Sequence, residues 1–334
     1  MVDILYIEKN LLNQVLVQQV VDYFNKAEKV DIEKYTEVFN VKSQNFREQK
    51  RKPALILANK KGQKIIPTPS EYETGGDANF YFSHMLNCIY DCRYCFLQGM
   101  YRSANYLLFV NYDEFAEDLR QHVQQSDADS PWYFSGYDCD SLALEPVTGF
   151  AEYFLEVFAE PVMSKATLEL RTKSTQIRSL LNRAAMPNVV IAFSLNPNEV
   201  ISAIEFGTPK LLKRLHAIQQ LQKAGWRVGL RFDPVVWHNN FEQSYEEFFN
   251  KVFESIDSEL IDSVTLGAVR LPKDFHKTIS KLYPEHWLFK AGMSLNEDNM
   301  VTYTEKISEQ MLSFCEQRIK KNVSDKVLFV YSNK

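Results

Sequence analysis

Three of the five cysteines in this chain lie within eight residues of one another, as Cys88, Cys92 and Cys95, with the spacing Cys-x3-Cys-x2-Cys. Thiolates so close in sequence can converge on one metal centre without help from distant parts of the chain. Cysteine thiolates are the usual ligands of iron–sulfur clusters. Three of them would hold a [4Fe-4S] cluster and leave one iron open for an external ligand. We therefore predict a catalytic cluster within residues 83–99.

The same cysteines could instead belong to either of two other kinds of metal site. His84 could join them as the fourth ligand of a structural zinc site, although such sites usually combine two separated pairs of ligands. A ferredoxin-type electron carrier would need a fourth cysteine, which Cys139 or Cys315 could supply. Cys315 lies on a predicted amphipathic helix, where core packing is the simpler expectation.

Composition and charge limit the classes of function. The chain has 334 residues, of which 45% are apolar and 24% charged, as in an ordinary globular protein. It has no run of about 18 apolar residues and no secretory signal, and its cysteine count is odd, so we expect a cytoplasmic protein without a membrane span. The net charge of −5 does not predict a general nucleic-acid-binding surface. Basic residues do cluster locally, at Arg47, Lys50, Arg51, Lys52, Lys60, Lys61 and Lys64.

Strand and helix patterns alternate through the middle of the chain. The strand candidates are residues 80–82, 132–136, 167–173, 189–194, 226–232 and 264–269. The helix candidates between them are residues 113–127, 148–160, 175–185, 209–224 and 243–257. Such alternation predicts βαβ units and a parallel sheet. Six units predict an α/β fold of the partial (β/α)6, TIM-like barrel type.

Extensions flank the predicted barrel. We expect an N-terminal α/β extension over residues 1–75, a barrel core over 76–270 and a C-terminal extension over 271–334 packed on the barrel. Both extensions are predicted to be mainly helical. Their elements are expected at residues 10–26 and 31–39 (helices), 53–58 (strand), 304–321 (helix) and 326–331 (strand).

Polar residues stand where the predicted strands end. The cysteine stretch follows the first strand, Cys139 and Ser141 follow the second, and Lys173, Ser194 and Asp233 end later strands. Because parallel α/β folds form their sites at the carboxyl ends of the strands, these residues are expected to share one site.

The Cys-x3-Cys-x2-Cys motif, with Tyr94 just before its last cysteine, resembles that of the radical S-adenosylmethionine superfamily. The resemblance implies that the open iron binds S-adenosylmethionine. Electron transfer from the cluster would then cleave the cofactor to a 5′-deoxyadenosyl radical. It also implies a partial (β/α)6 barrel and an external electron donor such as flavodoxin or ferredoxin.

Nearly the whole chain also resembles the spore photoproduct lyase family. The matching segments are Cys88–Gln98, Cys139 with Ser141, Thr172–Lys173, Phe193–Asn196 and Glu205–Thr208. The resemblance implies that Cys139 donates a hydrogen atom to a product radical. It further implies that Ser141, Lys173 and Ser194 lie near the cofactor. Together with Tyr94 of the motif and Asp233 at a strand end, they are expected to shape the cofactor pocket. The implied substrate is a thymine-dimer lesion in DNA.

Two features depart from the family pattern: the residue at position 96 and the hairpin region. Phe96 stands where the family has a second tyrosine, a phenol implicated in radical relay. The region of the family's basic hairpin, here residues 290–299, has Lys290 but no arginine, and contains Glu297 and Asp298. Since affinity for DNA depends on phosphate neutralisation, these residues weaken the expectation of duplex binding. The basic run at residues 47–64 could substitute for the hairpin, and a paralogue acting on another substrate is the alternative.

Overall fold

The computed structural model describes residues 2–69, 74–290 and 292–331. Its strands are β1 (Ile4–Glu8), β2 (Glu28–Ile32), β3 (Leu55–Ala58), β4 (Ile66–Pro67), β5 (Ala78–Phe82), β6 (Met85–Leu86), β7 (Asp91–Cys92), β8 (Tyr106–Phe109), β9 (Pro131–Ser135), β10 (Thr167–Thr172), β11 (Val189–Ser194), β12 (Glu205–Phe206), β13 (Arg227–Val235), β14 (Ile261–Ala268), β15 (Arg270–Pro272), β16 (Met293–Leu295), β17 (Met300–Tyr303) and β18 (Leu328–Tyr331). Its helices are α1 (Val15–Tyr23), α2 (Phe46–Arg51), α3 (Leu97–Met100), α4 (Tyr112–Gln125), α5 (Glu145–Thr148), α6 (Phe150–Phe158), α7 (Arg178–Leu181), α8 (Asn198–Ile204), α9 (Leu211–Lys223), α10 (Phe241–Ser255), α11 (Lys273–Leu282) and α12 (Glu305–Ile319).

The largest sheet is the predicted partial barrel. Its order is β18-β14-β13-β11-β10-β9-β5-β4, and every pair is parallel except β4 with β5. The six predicted strands correspond to β5, β9, β10, β11, β13 and β14, so the fold prediction is confirmed. The sheet has two outer strands, β4 and β18, and is therefore open rather than closed into a ring.

The two faces of the barrel sheet differ in polarity. On β10, Leu168 and Leu170 belong to the large apolar core that also contains α6, α9 and α10. Side chains alternate across a strand, so Glu169 and Arg171 lie on the other, concave face. Glu169 is buried there in contact with Arg231 of β13. The concave face therefore carries charged groups, as a site rather than a packed core would.

The N-terminal extension is built on a sheet rather than mainly on helices. β2, β1, β3 and β8 pair in parallel in that order, and β6 adds an antiparallel edge. The predicted helix over residues 31–39 is wrong, because β2 ends at Ile32 and only a 3-10 turn, Tyr35–Glu37, follows. The predicted strand over 53–58 is confirmed as β3. β8 joins this sheet although it follows the cysteines in sequence, so the expected boundary at residue 75 does not separate the two sheets in sequence.

The C-terminal extension contains more strand than predicted. β15, β17 and β16 form an antiparallel sheet, while β18 returns to pair with β14 at the edge of the barrel. α12 confirms the predicted helix over residues 304–321, and Cys315 on it is fully buried in the main core. Within the described ranges, none of the helices combines the length and apolar character needed to cross a bilayer.

Candidate active site

A cavity of about 130 Å³ lies at the carboxyl ends of β9, β10 and β11. It brings together seven of the predicted site residues: Cys88, Cys92, Tyr94, Cys95, Cys139, Lys173 and Ser194. The other lining residues are Tyr90, Leu97, Gly136, Tyr137, Asp140, Arg171 and Thr172. The structure therefore brings these seven residues together at the strand ends, while their roles stay predictions.

The three motif cysteines lie on residues 83–99, here called the cysteine loop. The loop begins after β5, and Asn87, with a φ of 66°, turns the chain. The Asn87 amide donates hydrogen bonds of 2.8 Å to the carbonyls of Ser103 and Asn105. Further along, β7 pairs antiparallel with β12, which places Cys92 opposite Glu205. Contacts with distant segments therefore fix the loop on both sides of Cys88.

Glu205 anchors the cysteine loop to β12 and the barrel. The Tyr94 hydroxyl donates to its carboxylate, Asn196 donates at 3.0 Å, and Arg214 forms a fully buried ion pair with it at 2.5 Å. Burial alone would raise the pKa of Glu205, but Arg214 and Lys173 outweigh that effect and lower the pKa below its ordinary value. Glu205 is thus an ionised carboxylate beneath the loop. The family resemblance included Glu205, but nothing in the sequence identified its partners.

The outer face of the cysteine loop is held by the C-terminal extension. The Arg93 guanidinium lies between two rings, 4.7 Å from the centroid of Phe206 and 4.2 Å from that of Tyr283. Arg93 also pairs with Asp91 at 2.5 Å. A Cβ on Gly99 would lie 2.7 Å from the carbonyl oxygen of Phe275, so only glycine allows α3 to approach α11 this closely.

The donor set fits an iron–sulfur cluster. Cys88, Cys92 and Cys95 are free thiols on the wall of one cavity. Among the residues that the structure describes, no three histidine, cysteine or acidic side chains converge tightly enough to enclose a single metal ion. Burial raises the pKa of Cys88 to about 12 and also raises that of Cys95, so ligation must displace their protons.

His84 occupies a different part of the site. Its ring stacks on Phe150, with centroids 3.6 Å apart, and its Nδ1 lies 3.9 Å from the Sγ of Cys139. Burial lowers the pKa of His84 to about 3, so the ring is neutral. His84 therefore contacts Cys139 rather than completing a set with the three motif cysteines.

Lys173 is a cation close to Cys92 and Cys95. Its Nζ lies 5.6 Å from the centroid of the Tyr94 ring. Burial would lower the pKa of Lys173, but Cys92 and Glu205 raise it above the ordinary value, so the ammonium is charged. Asp140 fixes the backbone at this strand end by accepting hydrogen bonds of 2.6 Å from the Lys173 amide and from the Thr172 hydroxyl.

Two predicted cofactor residues do not line the cavity. Ser141 is buried and shares a hydrogen bond of 2.8 Å with Ser135, while its amide bonds to the carbonyl of Arg171. Asp233 lies on β13, 3.8 Å from Arg270. Both are near strand ends, as expected, but the structure places them behind or beside the cavity rather than on its wall. Their roles towards the cofactor stay predictions.

Phe96 borders the same region. Its ring centroid lies 5.5 Å from that of Tyr137, and Tyr137 in turn stacks on Tyr81 at 4.2 Å. The side chain at position 96 therefore adds an apolar ring to an aromatic group beside Cys139, without the hydroxyl that the family pattern has there.

An open parallel barrel with three loop cysteines at its strand ends is the arrangement of the radical S-adenosylmethionine superfamily. Within that class, the sequence model of the family described as spore photoproduct lyase matches residues 1–317. The chain belongs to the spore photoproduct lyase family.

Individual relatives agree with this assignment. The spore photoproduct lyase of Bacillus subtilis (strain 168) is 24% identical over 302 residues, covering 88% of this chain and 84% of the relative. That of Geobacillus sp. (strain Y412MC61) is 23% identical over 201 residues, covering 59% and 58%. A solved spore photoproduct lyase mutant with bound S-adenosylmethionine and dinucleoside spore photoproduct has a TM-score of 0.85 at 16% identity, covering 100% and 99% of the two chains. A second structure, complexed with dinucleoside spore photoproduct, has a TM-score of 0.82 at 16% identity, covering 99% and 98%. Identities this low establish a shared fold.

Proposed function

We propose that this chain is a radical S-adenosylmethionine enzyme that repairs a thymine-dimer lesion of the spore photoproduct type. One observation supports this most strongly: the three motif cysteines and Cys139 line the same cavity. A ligand there would contact both the metal-binding thiols and a separate thiol suited to hydrogen-atom transfer. Relatives of the same family are described as spore photoproduct lyases, and one of their structures holds both S-adenosylmethionine and the dinucleoside lesion.

Two groups of side chains would hold the cofactors. Cys88, Cys92 and Cys95 would bind a [4Fe-4S] cluster, and the charged Lys173 suits the carboxylate of S-adenosylmethionine. Ser194 and Tyr94 lie on the same wall. When bound, the two cofactors supply radical chemistry through reductive cleavage of S-adenosylmethionine, with an electron from a donor such as flavodoxin or ferredoxin.

Cys139 would return a hydrogen atom to the repaired nucleoside. Burial raises the pKa of Cys139 well above its ordinary value, and the neighbouring carboxylates Asp138 and Asp140 raise it further. The side chain is therefore a neutral thiol, which has a weak S–H bond to break, rather than a thiolate. Hydrogen-atom transfer moves the proton and one electron together to the product carbon and leaves a sulfur radical on Cys139.

A second candidate is radical chemistry on a substrate other than duplex DNA. Most of the basic run at residues 47–64 is already engaged within the chain. Lys50 pairs with Asp91, Arg51 with Glu48, Lys52 with Asp3, and Lys64 with Glu114 and Asp118; Arg47 donates to the carbonyls of Lys281 and Leu282.

The hairpin region offers no compensating charge. Lys290 pairs with Glu285 at 2.8 Å, and Glu297 and Asp298 lie between β16 and β17. Ala291, in the same region, lies outside the described residues. These pairings favour a small or single-stranded nucleic-acid substrate over a duplex.

The test compares three forms of the lesion. Anaerobically reconstituted enzyme is reduced and incubated with the spore photoproduct in a duplex, in a single strand and as a free dinucleotide, and restored thymidine residues are measured. Repair of any form supports the proposal, and repair confined to the last two favours the second candidate. Vigorous S-adenosylmethionine cleavage with no repair of any form would show that the lesion is not the substrate.

A further inference from the structure

The concave face of the barrel carries a group of charged side chains around Glu169. Glu169 and Arg231 are both fully buried and form a two-point ion pair, with N–O distances of 3.1 and 2.7 Å. Arg231 also donates to the hydroxyl of Ser263 at 3.0 Å. One carboxylate and one guanidinium therefore already satisfy each other inside the barrel.

Arg171 adds a second guanidinium to the same carboxylate. Its Nε and Nη2 both lie 3.1 Å from the Glu169 Oε1 that Arg231 also contacts. Two arginines thus share one acidic group, and this triad has a net charge of +1. Unlike its two partners, the Arg171 side chain is 31% exposed, and it lines the cavity. Asp233 also lies near Arg171, but it pairs with Arg270, so the excess positive charge remains. An arginine stays charged at any ordinary pH, so this excess charge attracts an anion.

Arg171 lines the cavity next to several aromatic rings. The guanidinium carbon lies 5.7 Å from the centroid of the Phe134 ring, which orients it. Gly136, which follows β9 with a φ of 78°, also lines the cavity. Close by, Tyr137 and Tyr81 stack with an angle of 22° between their planes. An arginine beside aromatic rings is a common means of binding a nucleotide, because the rings stack on bases.

Arg171 on β10 and Lys173 just after it are separated by one residue and have different neighbours. Lys173 is close to Cys92 and Glu205, at the cysteine side of the cavity. Arg171 is close to Glu169 and Asp233, towards the barrel interior. S-adenosylmethionine has a single carboxylate, for which Lys173 suffices. The second cation is therefore available to an anionic group of the substrate.

We propose that Arg171 binds the phosphodiester that joins the two nucleosides of the lesion. The inference rests on the proposed function, and it makes the phosphodiester a determinant of substrate affinity. A guanidinium can donate two parallel hydrogen bonds to phosphate oxygens, a geometry that a lysine cannot reproduce.

The test measures binding rather than turnover. Reconstituted, unreduced enzyme with S-adenosylmethionine is titrated with the dinucleotide and the dinucleoside forms of the spore photoproduct, which differ in the phosphodiester. A charge-assisted hydrogen bond of ordinary strength predicts that the wild type binds the dinucleotide roughly 10- to 100-fold more tightly. Arg171→Gln should abolish this preference, Arg171→Lys should retain part of it, and both should bind S-adenosylmethionine as the wild type does. Arg178→Gln, at an exposed position at the start of α7, is the matched control and should retain the full preference.

Other outcomes decide against the inference. Equal binding of the two forms by the wild type, or a preference that persists in Arg171→Gln, would overturn it. Failure of the wild type to bind either form would instead show that the lesion is not the substrate. In that case the binding of inorganic phosphate tests the anion site on its own. Phosphate should bind the wild type and not Arg171→Gln, and a wild type that does not bind phosphate would overturn the inference as well.

Discussion

The cysteine loop and the ends of β9, β10 and β11 line the same cavity, but different contacts hold them. The strand ends belong to a continuous parallel ladder, in which each backbone is fixed by two neighbours. The cysteine loop has only two-residue strands and the four-residue helix α3. Its position depends on side chains of β12, α9 and the segment around α11.

The difference divides the site into a rigid part and a dependent part. Residues such as Lys173 and Ser194 are placed by the barrel itself. The cysteines are held in place by Glu205, through Tyr94, and by Arg93 stacked against Phe206 and Tyr283 on the opposite side of the loop. Substitutions that loosen the loop should therefore affect the cluster-binding side while leaving the barrel side folded.

The largest expected effect is that of removing Glu205. Glu205→Ala leaves the fully buried Arg214 without its carboxylate, and an uncompensated buried charge of this kind costs about 3–5 kcal/mol. We expect a matching fall in the free energy of unfolding of the metal-free protein in urea. Glu285→Ala, which removes an exposed pair with Lys290, is the control and should leave the urea midpoint unchanged. An equal effect of both substitutions would contradict a supporting role of Glu205.

The start of the loop should make the protein sensitive to acid. The pKa of His84 is about 3 in the folded chain but about 6.5 when unfolded, so the unfolded state binds the proton first. The stability that the folded chain gains by keeping His84 neutral is full above pH 6.5 and is lost as the pH falls towards 3. At pH 5 the loss is about 2 kcal/mol. The metal-free His84→Phe variant should lack this part of the decline between pH 7 and pH 5 in urea unfolding. A decline as steep as that of the wild type would contradict the assignment.

A smaller effect is expected on the outer face of the loop. Arg93→Ala removes two cation–π contacts and the ion pair with Asp91, together about 1–2 kcal/mol. Hydrogen exchange should accelerate in residues 88–99 but not in β10 or β11. Arg102→Ala, at an exposed position beyond the loop, should change neither region. Uniform acceleration across the barrel would remove the distinction between the two parts.

The smallest effect on folding is expected at Cys139, where only the chemistry should change. Cys139→Ala removes one sulfur from a buried position and leaves the three motif cysteines in place. The variant should form 5′-deoxyadenosine as the wild type does but yield altered products from the lesion, because its product radical lacks a hydrogen donor. Product analysis by mass spectrometry checks this. Loss of cofactor cleavage would instead make Cys139 structural or a cluster ligand.

Local patterns were sufficient to predict the motif and the barrel. The three cysteines lie within eight residues of one another, and continuous apolar runs such as β11 identify buried parallel strands. The contacts that hold the loop could not be predicted this way, because Arg93 and Tyr283 are far apart in sequence and neither has a distinctive pattern. Position at a strand end also did not determine orientation, since Lys173 faces the cavity and Ser141 packs behind it. The helix predicted over residues 31–39 failed because the pairing of β2 with β1 decides that segment.

We propose that Cys88, Cys92 and Cys95 hold a cluster that acts on S-adenosylmethionine. The most direct measurement is the formation of 5′-deoxyadenosine by the anaerobically reconstituted protein after reduction with dithionite, with iron content determined in the same sample. We expect about four irons per chain and cofactor cleavage, both lost when the three cysteines are replaced by alanine. One zinc per chain, without iron–sulfur absorption and without 5′-deoxyadenosine, would contradict the account.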